Sequence, residues 1–312
     1  MFIIFCVLVS VLAIALGVGL GVAFSRQSST SSTLPTSTEE EAPAAGISDG
    51  LSSTGNQCFA NRDELKAAVD TYIFSGCNEG ASVCPDITSK YGWPMNSWCV
   101  GNVTDMSKLF RDMSTFNDDI SLWNVSQVQD MSHSFYRALS FNGNVSLWDV
   151  SQVQNMSFMF RGASSFNGDL PLWDVSQVQD MRGMFTDASS FNGDISLWNV
   201  SRVQDMSYMF FVASSFNGNL SLWDISQVRD MQGMFNGASS FNVDVSSWDI
   251  SQVQDMRYMF EYASSFNQNL CAWADKNFPH DWASDIFKNS GCTFQSTPQI
   301  DQGGPFCASD CN

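Results

Sequence analysis

The sequence predicts an α/β solenoid of seven 25-residue strand–helix coils held between disulfide-rich caps. Tryptophan recurs at Trp98, Trp123, Trp148, Trp173, Trp198, Trp223, Trp248 and Trp273. Met106 to Met256, Phe110 to Phe260 and Phe116 to Phe266 keep the same step without one insertion. A fixed period of this length marks units that share one interior and do not fold singly. The second observation is where cysteine falls. Cys58, Cys77, Cys84 and Cys99 stand at the entry to the repeats, Cys271, Cys292, Cys307 and Cys311 at their end, and none lies between.

Residues 1–25 are almost wholly apolar and long enough to cross a bilayer, so they read as a transmembrane anchor or a signal segment. Residues 26–57 are rich in Ser, Thr and Glu and cannot bury enough apolar area to offset chain entropy, which predicts a disordered stalk. Residues 58–97 form an N-terminal cap with a helix starting near Asn61, 98–272 the repeats, and 273–312 a cysteine-containing C-terminal cap. Even cysteine counts outside the cell read as disulfides, with three pairings open at each end. A metal at Cys307 and Cys311 is the weaker reading, because no histidine lies nearby.

Within a unit, Val128, Met131, Phe135 and Ala138 follow steps of three and four, with Met usual where Ser134 stands. That spacing predicts a short helix with Ser126 as N-cap and Asp130 in its first turn. The turn-forming run Ser140-Phe141-Asn142-Gly143-Asn144 follows, then a short inward-facing parallel strand around Trp148 and Val150. Asn117, Asn142, Asn167, Asn192, Asn217, Asn242 and Asn267 repeat at the bend and are expected to satisfy backbone groups left open there, as a structural ladder.

The formal charge is −18 with 14 Lys+Arg, which argues against nucleic acid and anionic lipid as partners. Membrane contact is expected through the N-terminal segment only. Catalysis needs a nonrepeated constellation in a pocket, yet the only histidines are His133 and His280, and the carboxylates recur with the unit. No catalytic residue, cofactor or metal site is predicted.

Comparison between units shows which positions drift. Three series do: one through Lys108, His133, Phe158, Gly183, Tyr208, Gly233 and Tyr258, one through Arg111 to Glu261, and one through Asp112 to Tyr262. On a helix they form one solvent-facing stripe. Solvent positions drift freely, but Tyr136, Arg137, Phe158, Arg161, Tyr208, Phe211, Tyr258 and Tyr262 are residue types enriched at binding hot spots, and they are the candidate binding stripe. Leu122, Leu147, Leu172, Leu197 and Leu222 form a rival row, either an exposed apolar groove or tucked between coils. Asn102, Asn124, Asn144, Asn155, Asn199 and Asn219 begin Asn-x-Ser/Thr motifs and are candidate glycosylation sites, unless an Asn- and Ser-rich repeat makes them by chance.

The pattern Trp-Asp-Val-Ser-x-Val-x-Asp-Met-x-x-Met-Phe-x-x-Ala-x-x-Phe-Asn-x-Asp, seen in full from Trp173 to Asp194, resembles the BspA-like leucine-rich-repeat surface proteins, including mycoplasma lipoproteins with this repeat. The likeness covers about residues 98–273, and Asn61 to Val69 with Tyr91-Gly92 resembles the region preceding such repeats. It implies a leucine-rich-repeat-like solenoid on a cell surface, engaged in adhesion or binding. Cys6 has no convincing lipobox, which favours a membrane helix over a lipid anchor. The function expected is non-enzymatic recognition or adhesion, at the cell surface or secreted, toward a protein or glycan. The alternative is a glycan-binding or extracellular-matrix structural protein.

Overall fold

The computed structural model describes residues 56–299 and 304–311. The predicted membrane segment and all but the last two residues of the 26–57 stretch lie outside them. Among the described residues, no helix is long and apolar enough to cross a membrane.

Helix α1 spans Arg62–Phe74. It starts where it does because Asn61 Oδ1 accepts the Glu64 N–H at 3.0 Å while Glu64 Oε2 accepts the Ala60 N–H at 2.9 Å, a reciprocal cap. Leu65, Ala68, Val69 and Tyr72 form its buried face. Helix α2, Pro85–Tyr91, begins with proline at a position whose N–H has no intrahelical partner to lose. Disulfide Cys77–Cys84 closes the turn between the helices, and Cys58–Cys99 ties the chain before α1 to the first unit. Phe59 stacks on Tyr91 at 4.0 Å and meets Trp98 at 5.3 Å, so aromatic rings cover the open end of the repeat core.

The repeats contain neither the predicted helix nor the predicted strand. From Met131 to Ala138 the N–H groups alternate in purpose. Those of Met131, His133, Phe135 and Arg137 donate to carbonyls of the following unit at 2.7–2.9 Å, while those of Ser134, Tyr136 and Ala138 close local i→i−3 turns. An α-helix would consume these donors within one unit and leave its neighbour unbonded. Saturating the groups between units wins over local helix preference. The region around Trp148 also closes local turns, with Trp148 N–H on Val145 O at 3.1 Å. What stands for a strand is a single parallel bridge per unit, joining Asp105, Asp130, Asn155, Asp180, Asp205, Asp230 and Asp255 in succession.

The positions that the apolar spacing placed inside are nonetheless buried, Val128, Met131, Phe135 and Ala138 among them. Their aromatic members form columns. Phe110, Phe135, Phe160, Phe185, Phe210, Phe235 and Phe260 follow one another at 5.2–5.7 Å between ring centroids. Within each unit the same ring stacks on a partner of the second phenylalanine series, as Phe185 does on Phe191 at 3.8 Å. Tryptophan makes the third column, and from Trp123 to Trp248 each indole reaches back to a carbonyl 28 residues earlier, as Trp198 Nε1 does to Leu170 O at 2.9 Å. The asparagine series links the bends. Asn142 Oδ1 accepts the Asn167 N–H at 3.0 Å, and the pattern runs from Asn117 to Asn267.

The C-terminal cap continues the array without continuing the sequence motif. Met256, Tyr258, Phe260 and Tyr262 donate to Trp282, Ser284, Ile286 and Lys288, and Phe287 extends the phenylalanine column at 6.0 Å from Phe260. Disulfides Cys271–Cys311 and Cys292–Cys307 close this end, so all eight cysteines of the described residues are paired.

An arginine–aromatic face as candidate binding site

Two of the three drifting series have a backbone cause. Lys108, His133, Phe158, Gly183, Tyr208, Gly233 and Tyr258 all hold φ between 56° and 61°. Asp112, Arg137, Gly162, Asp187, Val212, Gly237 and Tyr262 are likewise positive, between 55° and 72°. Each is the third residue of an i→i+3 turn, where type II geometry demands the left-handed region. The series therefore are not a helical stripe. They are separate rows running from unit to unit, each side chain projecting from a tight turn.

Glycine at this turn lets the aromatic ring of the preceding unit lie over it. A Cβ on Gly183 would lie 2.3 Å from the Phe158 ring, and one on Gly233 2.8 Å from Tyr208. Between Phe158 and Tyr208, two units apart, the surface forms a notch. It forms a cavity of about 450 Å³ lined by Phe158, Arg161, Arg182, Thr186, Tyr208 and Phe211. Four of the candidate stripe residues thus converge. Tyr136 and Arg137 stand one unit earlier, and Tyr258 and Tyr262 lie beyond Gly233, outside the cavity.

Basic charge collects here although the chain is acidic. Lys108, Arg111, Arg137, Arg161 and Arg182 account for five of the 14 Lys+Arg. Their guanidiniums interleave with rings: Arg111 and Arg161 lie 4.9 and 5.6 Å from Tyr136, and Arg161 and Arg182 lie 5.6 and 5.1 Å from Phe158. Such stacking leaves the N–H edges of a guanidinium open. Arg161 and Arg182 make no ion pair or side-chain hydrogen bond among the described residues. His133 packs on Phe158 at 5.0 Å, and burial together with the charges of Arg111 and Lys108 pushes its pKa below the usual histidine value.

The bridge row beside this face carries stacked carboxylates. Burial, helped by Asp205 and Asp255, raises the pKa of Asp230, against the lowering effect of the Gln232 N–H; Asp180 is raised by burial and Asp205 in the same way. A raised folded-state pKa means the unfolded chain ionises first, so stability is lost as pH climbs through the range just above an ordinary carboxylate. Asn155 already fills the equivalent position in its unit. Asp230→Asn is therefore expected to melt higher than the parent at neutral pH, with the gap closing on acidification to below the ordinary carboxylate pKa. Melting temperature against pH for both proteins checks this, and a gap that widens on acidification contradicts it.

A family model described as "Mycoplasma protein of unknown function, DUF285" matches residues 83–197 and again 188–298. The chain belongs to this family. Curated proteins gave no match. Among solved structures, one titled "Crystal structure of TLR13-ssRNA13 complex" aligns with 8% identity and a TM-score of 0.20. The alignment covers 73% of this chain and 36% of that one, so the chain spans about a third of that protein's length.

The DUF285 repeats present a second exposed feature. Leu122, Leu147, Leu172, Leu197 and Leu222 are 70–78% exposed, so they form an open apolar row and are not tucked between units. Asp and Asn at 119, 144, 169, 194 and 219 on one side, and at 124, 149, 174, 199 and 224 on the other, flank it. Asn124, Asn144, Asn199 and Asn219 belong to these flanks and are exposed, as is Asn102. Asn155 differs. It is half-buried in the bridge row, with Oδ1 accepting the Ser157 N–H at 2.9 Å. Thr186 belongs to the drifting series from Arg111 to Glu261, whereas Arg182 lies outside all three series. Arg182 occupies a position that is serine at 107, 132, 157 and 207, and its departure from that pattern is the one signal it left.

Proposed function

We propose that this protein is a non-enzymatic recognition or adhesion protein displayed at a cell surface, built as a leucine-rich-repeat-like solenoid, whose partner docks on the arginine–aromatic face. The notch at Gly183 carries this reading. It gathers Phe158, Tyr208 and Phe211 with two guanidiniums that form no ion pair among the described residues. Aromatic and arginine side chains at the centre of a concavity are what binding hot spots are made of. Membership of DUF285 and the resemblance to BspA-like surface proteins support the surface setting, as does the apolar N-terminal stretch. Paired cysteines at both ends suit an oxidising exterior.

The test replaces Phe158, Tyr208 and Phe211 together by alanine and measures binding of the purified chain to whole cells. Hot-spot losses of about 2 kcal/mol or more predict a drop of roughly 30-fold or more. Undiminished binding by a folded triple variant removes this face from consideration.

A further inference from the structure

We propose that the notch between Phe158 and Tyr208 takes a sugar ring bearing a carboxylate, presented at the end of a glycan chain. The inference rests on the recognition reading above and names the ligand class of the same site.

Three observations converge on that chemistry. The walls are aromatic: Phe158 and Tyr208 project from equivalent turns two units apart and both line the cavity with Phe211, the Phe158 ring lying over Gly183 where a side chain would otherwise stand. A flat ring with an apolar C–H face fits between such walls. The polar groups on offer are mostly donors. Thr186 Oγ1 spends its hydrogen on Tyr208 O at 2.7 Å, which leaves the Arg161 and Arg182 guanidiniums and the Tyr208 hydroxyl as donors for a ligand. Two guanidiniums without an ion pair among the described residues, in a chain of formal charge −18, call for an anion with planar acceptors.

The backbone argues against an extended peptide. Peptides that lie along a protein edge are held by open main-chain groups. Here the N–H groups of Phe158, Gly183 and Tyr208 are spent on Arg182, Ser207 and Gln232 of the next units at 2.8 Å, and those of Arg161, Thr186 and Phe211 on local turns. The surroundings argue against a polyanion. Asp180 and Asp205 border the notch in the bridge row, and Asp187 lies just past it. A single terminal acid meets the two arginines without running into these carboxylates, whereas a long charged strand would lie across them.

The experiment measures affinity of the full chain for sialyllactose, a glucuronate-terminated trisaccharide, lactose, a single-stranded oligonucleotide and an acidic peptide. The acidic sugars are expected to bind about 10- to 100-fold tighter than lactose, the scale of charge-assisted hydrogen bonds. Arg161→Gln and Arg182→Gln each erase most of that preference. Both side chains reach solvent and make no ion pair, so these variants keep the fold. Gly183→Tyr displaces the Phe158 ring, which lies 2.3 Å from where its Cβ would stand, and abolishes binding of acidic and neutral sugars alike; the turn backbone itself carries tyrosine at 208 and 258. Equal affinity for sialyllactose and lactose overturns the proposal, as does an unchanged preference in the arginine variants. Tighter binding of the oligonucleotide or the peptide than of either acidic sugar overturns it too. If cell binding still depends on Phe158, Tyr208 and Phe211 while the sugar preference is absent, the ligand class falls and the recognition reading stands.

Discussion

Phe185→Ala is expected to lower stability by about 3–5 kcal/mol, the cost of emptying a large aromatic site in a core that relaxes only in part. Phe185 is fully buried. It stacks on Phe160 at 5.6 Å, Phe210 at 5.7 Å and Phe191 at 3.8 Å, and meets Trp198 at 6.4 Å. Removing it opens a void near the middle of the column. Because each unit touches chiefly its neighbours, the loss also weakens the coupling between the two halves of the array. Urea unfolding followed by tryptophan fluorescence should show a lower midpoint and a broader or split transition. Phe185→Leu retains most of the volume and should cost markedly less. A variant within about 1 kcal/mol of the parent would show that the column is not what holds the units together.

The second large effect is expected at the ends. Converting Cys58 and Cys99 to serine opens a crosslink of sequence separation 41, and converting Cys271 and Cys311 opens one of 40. In the chain-entropy account, loops of that size contribute about 4 kcal/mol each, against about 2.5 for the short Cys77–Cys84 loop of separation 7. The physical role is to hold a lid over an end that would otherwise expose core. For the first pair, that lid is the Phe59, Tyr91 and Trp98 cluster. Hydrogen exchange should therefore quicken first at the terminal unit next to the broken pair, around Phe110 or Phe260, while amides around Phe185 stay protected. Uniform loss of protection along the chain would contradict this.

The inward set of side chains could be read from spacing, because burial follows side-chain direction whatever backbone delivers it. The backbone itself could not. Steps of three and four fit a helix, but they also fit consecutive i→i+3 turns, in which Met131, Phe135 and Ala138 reach inward just as well. The telling residues were Gly162, Gly183, Gly233 and Gly237, with Asp112 and Asp187. They are types that tolerate positive φ, confined to two positions of the unit. Drift at those positions fits freedom from contact, yet two of the three series mark left-handed turns. At the C-terminus, Phe287 comes 27 residues after Phe260, so a search at the repeat period passes over the turn that caps the column. Half of the candidate stripe meets at the cavity because neighbouring units bring Phe158, Arg161, Tyr208 and Phe211 together. The pose of one wall depends on Gly183, over which the Phe158 ring lies, and residue types enriched at hot spots do not include glycine.

The four crosslinks join residues 58 to 99, 77 to 84, 271 to 311 and 292 to 307, and none fastens one repeat to the next. Between the lids, only noncovalent contacts (hydrogen bonds, stacked rings and the buried aliphatic side chains) resist a pull on the two ends. An array of like units pulled from its ends is expected to yield in equal increments. Each 25-residue turn that peels away adds about 80–90 Å of slack. The covalent collars stay closed, so rewinding always has an intact template at either end.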